Sequence, residues 1–454
     1  MIDVPDPRKT ACDILHALSS GKATLDSLIS ETFDPVFQSM SRRDRNFTYA
    51  LVYGVLRTRG RLDWIIHQFS KNGIEKIDAK VLQILRSALF QIFFMSRIPP
   101  SAAVNTAVTL SKKTSPPWVA GFVNGLLRSV IRSQKDITWP DRKADPLLWL
   151  SVEQSFPVWL LKRWADRMGF AQTEALCRFY NTIPPLCIRT NTLTVTREEV
   201  MTALAPEALE VTAAPYAPEG ILVHGLKANI QELDAFQKGW FQVQDEAAQL
   251  VSHAVSPAPG GAVLDACAGL GGKTGHLAQL MNNTGTLAAM DSHAGRLEKL
   301  AAQMARLGVT ITRIFRHDLN QGLDQKHHLI YDQVLVDAPC SGTGVIRRNP
   351  DTRWSVAPED FARYRKNQLQ YLNNASVAVR PGGMLVYAVC TIEPEETDDV
   401  VSGFINIRPE YQLASFSGIM GAFPFVQEGE KTVRIIPHVH NMDGFFIAAF
   451  KKGE

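Results

Sequence analysis

Through the first 135 positions apolar residues recur every three or four places, as in Ala79–Met95, AKVLQILRSALFQIFFM. That spacing predicts amphipathic helices and no strands. Breaks fall at Asn72-Gly73, Pro99-Pro100 and Pro116-Pro117, as turn-forming residues dictate. The stretch after Arg132, through Pro140 and Pro146, reads as a linker, and helical patterning resumes over Pro157–Tyr180. Beyond Pro184-Pro185 the texture changes. Leu186–Asn191 and Gly220–Val223 read as short strands around a helical Arg197–Leu204, a small α+β unit of about 60 residues. An amphipathic Asp245–Val255 then leads into apolar runs at Ala262–Ala266, Thr286–Met290, Ile311–Phe315, Gln333–Val336 and Gly383–Val389, most followed by helix-like segments. Strands alternating with helices predict a mainly parallel, doubly wound sheet. Val433–Ile436 and Gly444–Phe450 predict a closing hairpin. The expected organisation is multidomain: an all-α domain over 1–140, a helical linker with a small α+β subdomain over 141–240, and an α/β Rossmann-like domain over 241–454.

Charge sharpens this division. Residues 1–150 hold 21 Lys and Arg against 13 Asp and Glu, a net of +8, while the remaining 27 against 32 give −5. A basic helical part on a slightly acidic body points to a polyanionic partner at that end. Six cysteines in 454 residues are too few for a disulfide scaffold, and none forms a CxxC. The opening MIDVPDPRKT is unlike a signal peptide, and no apolar stretch approaches a membrane span. A soluble, cytoplasmic protein is expected.

The first chemical signal is VLDACAGLGGKTGHLAQL, Val263–Leu280. A strand ends at Asp265, a glycine-bearing turn follows, and a helix begins near Lys273, whose free N–H groups suit a ligand. Three readings compete. A Walker A loop needs glycine where Cys267 stands. A dinucleotide fingerprint fits only if its last glycine is forgiven. An adenosyl-ligand turn needs an acidic residue about twenty positions on, and Asp291 lies 19 residues after Gly272, at the end of the next strand.

The second signal is DQVLVDAPCSGTG, Asp332–Gly344, which delivers Asp337 and Cys340 to a strand's carboxyl end. The third, LVYAVCTIEPEE, does the same for Cys390. A single such cysteine is ordinarily a small buried hydrophobe; two on the ligand-binding edge form a constellation. Methylation at carbon 5 of a pyrimidine requires a thiol, because that carbon becomes nucleophilic only after a thiolate adds to carbon 6. An unperturbed cysteine needs activation for this. Asp337 either orients the base edge or caps the strand. Arg347, Arg348, Arg353 and Trp354, just past the Pro-Cys loop, suggest RNA contacts or a solvated basic loop. His438 and His440 have no partner cysteine or acidic cluster nearby in sequence, so no metal is expected.

In order and spacing, DACAGLGGKT, AAMDS, VLVDAPCSGTG and VYAVCT resemble the motifs of the NOL1/NOP2/Sun family of RNA cytosine-5 methyltransferases, over about Gln242–Lys451. Ser41–Asp63 and Phe122–Arg128 resemble a NusB-type helical RNA-binding domain. That pairing of domains is similar to bacterial enzymes that methylate one cytosine of 16S ribosomal RNA, the 967-type site. The resemblance implies S-adenosyl-L-methionine as cofactor, held by Cys267, Ala268, Gly269, Leu270, Gly271, Gly272 and Lys273 and by Asp291, Asp318 and Asp337. It implies Cys390 as nucleophile and Cys340 in product release, with Asp337 in the catalytic group, and structured or loop 16S rRNA as partner with no membrane or metal. Asp318, in RHDLN, reads from the sequence itself only as a loop cap. The chain departs from the family pattern at Leu270, where proline is usual, and at Val389, where serine or threonine is usual. Rival readings are another rRNA or tRNA cytosine, an amine-directed methyltransferase, and a non-catalytic RNA-binding assembly factor.

Overall fold

The computed structural model describes residues 5–21, 23–416, 425–426 and 429–454; the first four residues of the opening segment read above lie outside them. Among the described residues no helix is long and apolar enough to cross a membrane. The chain divides into two compact units, one of residues 1–182 with 346–356, the other of 183–345 with 357–454.

The first unit is helical. Its main helices are Pro7–Leu18, Arg42–Phe69, Ala79–Phe94, Pro100–Thr114 and Pro117–Arg132, followed by Pro146–Gln154, Val158–Met168 and Phe170–Tyr180. Each begins where the sequence supplies a start. Ser41 accepts from the Asp44 N–H, Asp78 from the N–H groups of Lys80 and Val81, and proline opens four of them. The apolar stripes of the first five meet in one core containing Leu51, Val55, Leu62, Ile84, Leu85, Val123 and Leu127.

The first compact unit runs past residue 140 and takes in the helices up to Tyr180. Phe156, Trp164 and Tyr180, all fully buried, form an aromatic cluster inside it. The arginine-rich segment past the Pro-Cys loop is also core rather than an RNA-facing loop. Arg353 is 1% exposed, stacks 3.9 Å from the Phe156 ring centre and donates to the Asn181 side chain at 2.8 Å. Arg347 is buried with its guanidinium 4.5 Å over Phe179, and Trp354 Nε1 donates to the Leu56 carbonyl. The Arg353 guanidinium also donates through the same nitrogen to the Ser155 carbonyl, and burial pulls the group down to about 9.

The second unit holds two sheets. Strands β1 (Leu186–Thr190), β2 (Glu210–Ala213), β3 (Gly220–His224) and β4 (Phe241–Val243) form an antiparallel sheet in the order β2-β3-β1-β4. The Arg197–Leu204 helix covers it, started by a Thr196/Glu199 capping box. The large sheet comprises β5 (Ala262–Asp265), β6 (Thr286–Asp291), β7 (Thr312–Arg316), β8 (Tyr331–Asp337), β9 (Val379–Val389), β10 (Tyr411–Leu413), β11 (Thr432–Ile435) and β12 (Phe445–Lys452). Its order is β10-β12-β9-β8-β5-β6-β7, with β11 paired to β12. β5 to β9 run parallel, and β12 returns antiparallel against β9. Both faces are covered by apolar clusters, which is why these strands read as unbroken apolar runs. After β5 the chain winds outward through β6 and β7, then crosses back to place β8 on the other side of β5. Ligands bind at the carboxyl ends of strands beside such a switch point.

Candidate methyl-transfer site

The glycine turn and the two cysteine segments come to that edge. The β5 turn, Ala266–Gly271, is pinned by two backbone bonds, Ala266 N–H to Leu335 O and Ala268 N–H to Met290 O. Gly269 and Gly271 have φ of +55° and +84°, a region that L side chains rarely adopt. A Cβ on Gly271 would also sit 2.8 Å from Leu300. The Gly272–Leu280 helix starts directly after the turn. Leu270, in the place of the usual proline, is 54% exposed, so its exchange alters no internal contact.

Asp291, at the end of β6, is nearly buried and has two anchors. One oxygen accepts from Gly269 N–H at 3.1 Å and the other from His293 N–H at 2.8 Å. The residue expected to hold a ribose therefore also braces the glycine turn. Each carboxylate oxygen keeps a further lone pair for a hydroxyl. Asp318, two residues past β7, accepts from the Asn320 backbone and side chain through Oδ1, so it does cap its loop. Cys267 packs into the core under the turn. Burial, followed by the charges of Asp265, Asp337 and Asp291, pushes its thiol well above the ordinary value. Asp265 is buried against Thr274 Oγ1 at 2.7 Å, and burial lifts it to about 7.

The two thiols from β8 and β9 meet. Cys340 Sγ and Cys390 Sγ lie 3.1 Å apart. β8 and β9 are parallel neighbours with Asp337 opposite Ala388, so Cys340, three residues past that pair, and Cys390, two past it, leave the sheet at the same edge. The hydrogen bond to Cys390 and burial push Cys340 well above its ordinary value.

Lys273 and Asp337 form an ion pair at 2.5 Å. Burial works against the Lys273 ammonium, but Asp337 outweighs it and Cys390 acts in the same sense, so the group stays charged. The sequence placed both residues at the site without revealing that they pair.

Glu396 was missed. It is 0% exposed, and its carboxylate accepts from Ser341 N–H and Gln368 Nε2 at 2.9 Å and from Thr391 Oγ1 at 3.0 Å. Ser341 follows Cys340 and Thr391 follows Cys390, so this one side chain clamps both cysteine loops. Gln368 also donates to Pro339 O. A glutamate in a loop after a strand has no local signature of burial; the run EPEE was the available signal. Gly344 packs tightly against Gly444, where a Cβ would meet Gly444 O at 2.2 Å.

His440 is locally engaged, its Nδ1 accepting from Ile436 N–H. Among the described residues the group close enough to share a cation is Glu219, His253 and His276, drawn from three separate segments.

Comparison with known proteins agrees with this architecture. Residues 252–451 match the family model described as 16S rRNA methyltransferase RsmB/F, 5–132 match the NusB family, and 156–228 match the RsmF/B-like ferredoxin-like domain. The chain is 35% identical over 448 residues to "Probable ribosomal RNA small subunit methyltransferase B" of Bacillus subtilis (strain 168), covering 98% of each chain. It is 37% identical over 435 residues to the protein of the same description from Synechocystis sp., covering 94% of this chain and 96% of that one. A solved structure titled "Crystal Structure of PH0851" superimposes with a TM-score of 0.82 at 27% identity, over 99% of this chain and 100% of the other.

Proposed function

Because the chain belongs to the RsmB/F family of 16S rRNA methyltransferases, we propose that it methylates carbon 5 of a single cytosine in 16S rRNA through a covalent cysteine–cytosine adduct. The observation that carries this reading is the thiol pair, 3.1 Å apart at the ends of β8 and β9. An amine-directed enzyme has no use for two thiols there, and a non-catalytic RNA-binding factor has no use for either.

S-adenosylmethionine, the cofactor of this family, supplies an electrophilic methyl group. The chain's residues fit it: a positive-φ glycine turn, open space over Gly269 and a carboxylate edge at Asp291. The turn from Cys267 to Lys273 would hold it, with Asp291 on the ribose and Asp318 near the adenine. The cytosine must leave its stack to reach the thiols, which costs a few kcal/mol and favours loop nucleotides. Asp337 then accepts from the exocyclic amine, the usual carboxylate contact to cytosine, with Lys273 holding its orientation. Cys390 adds to carbon 6, making carbon 5 nucleophilic toward the methyl group. A water takes the carbon-5 proton, the C–H electrons re-form the 5,6 double bond, and the Cys390–carbon-6 bond breaks to return the Cys390 thiolate, with Cys340 serving this release.

The test uses methyl-labelled S-adenosylmethionine with 16S rRNA lacking the modification, digestion to nucleosides and mass spectrometry. Labelled 5-methylcytidine at one site is expected. A different labelled nucleoside would overturn the carbon-5 reading, and label only on tRNA or 23S rRNA would overturn the substrate.

Asp291→Ala should raise the dissociation constant for S-adenosylmethionine by roughly 10- to 100-fold, the loss of about 1.5–3 kcal/mol for hydrogen bonds to a charged group. Titration calorimetry reads this directly; unchanged affinity would remove Asp291 from the cofactor edge.

A further inference from the structure

On the helical unit, one face of the Pro117–Arg132 helix lines an open groove of about 800 Å³. Trp118, Gly121, Phe122, Gly125, Ser129 and Arg132 follow one another along that face at helical spacing. Trp118 leaves 73% of its surface exposed. A Cβ added at Gly121 or Gly125 would meet no atom within 4 Å. Internal packing therefore does not call for glycine at either position, although glycine is the poorest helix former short of proline. Two glycines in mid-helix, one and two turns from an exposed indole, leave a flat floor on which another molecule can lie close to the backbone.

The remaining wall states the charge of that molecule. Lys71, Lys76 and Arg132 line the groove, against the single carboxylate of Asp78. That carboxylate is engaged in capping the Ala79–Phe94 helix. Lys112 and Lys113 lie exposed in the last turn of the adjoining Pro100–Thr114 helix. An aromatic platform beside a row of cations is the arrangement that holds single-stranded nucleic acid, with bases stacking on the ring and phosphates meeting the cations. We propose that this groove binds an unpaired stretch of the substrate rRNA, with one base stacked on Trp118 and the backbone lying over Gly121 and Gly125. The proposal rests on the reading of this chain as an rRNA methyltransferase. With stacking and phosphate contacts but no base-edge partner invoked, the groove grips RNA with little regard to sequence.

The glycines give a test in which folding and binding move in opposite directions. Gly125→Gln replaces a poor helix former by a good one and fills the floor. In the full-length protein its melting temperature should stay level or rise, while KM for unmodified 16S rRNA rises roughly ten-fold and kcat at saturating RNA is unchanged. Trp118→Ala should raise KM by a similar factor, the usual weight of one base–aromatic stack. Lys76→Glu should weaken binding of a mixed-sequence single-stranded RNA oligonucleotide and lower its salt dependence by about one counterion. Unchanged KM in both Gly125→Gln and Trp118→Ala, with the wild type active, would overturn the groove and leave the enzyme reading intact. A wild type that binds RNA without methylating it, with binding weakened by both variants, would overturn the enzyme reading and keep the groove. A wild type that binds no RNA would overturn both.

Discussion

Cys390→Ala is expected to lower methyl transfer to 16S rRNA by roughly 10⁴-fold or more, the scale of losing a covalent nucleophile, while Cys340→Ala is expected to arrest the enzyme on its substrate. The two thiols are 3.1 Å apart and half-buried in the same pocket, so sequence position alone does not rank them. The hydrogen bond to Cys390 and burial push Cys340 well above its ordinary value, and the family resemblance makes Cys390 the nucleophile. Lys273 stands within the electrostatic reach of Cys390. With Cys340 removed, addition and methyl transfer proceed but release is slowed. The protein should then migrate as an RNA adduct on denaturing gels, and the adduct should vanish in the Cys340→Ala/Cys390→Ala double variant. An adduct that requires Cys340 and persists without Cys390 reverses the assignment.

Glu396→Ala carries the second large effect, on stability and activity together. It leaves the Ser341 N–H, Gln368 and Thr391 without their shared acceptor in a site closed to water. At about 1–3 kcal/mol for each buried group left unpaired, the expected loss is roughly 3–5 kcal/mol, or on the order of 10 °C in melting temperature for a unit of this size. Activity should fall with it, because the clamp sets the spacing of the thiol loops. Glu396→Gln separates position from charge. Its carbonyl can accept from Ser341 and Gln368 while its amide donates to Thr391 Oγ1, whose hydroxyl then turns to Ser341 Oγ or Thr343 Oγ1, both 2.9 Å away. This variant should keep the wild-type melting temperature within a few degrees and most of kcat. A folded but inactive Glu396→Gln would show that the negative charge is needed, not only the clamp. Burial raises Glu396 above the usual carboxylate range. The folded state then binds this proton more readily than the unfolded chain. The proton-linked part of Glu396's contribution to stability is accordingly present below its free value and lost as pH rises through its raised one, on top of the hydrogen bonds of the clamp.

The sequence by itself determined the elements and their order. Helical spacing before residue 135 and apolar runs after 260 are local properties, and both reappear as helices and parallel strands within a few residues of the expected limits. It also determined which residues reach the site, because in a parallel sheet every strand's carboxyl end lies on the same edge. Cys340, Cys390, Asp291 and the glycine turn needed only the strand ends to be read correctly. Short strands such as β4 and β10, three residues each, escaped because so short a run carries no period. The tertiary structure alone decided which partner each group meets. Asp337 and Lys273 are 64 residues apart in the chain, Gln368 and Glu396 28, and Arg353 and Asn181 172. No periodicity links such positions. Whether a charged residue is a solvated arm, as Arg353 was read, or an enclosed core group depends on distant segments filling the space around it. Burial of a charge is therefore fixed by packing, not by the residue or its neighbours in sequence.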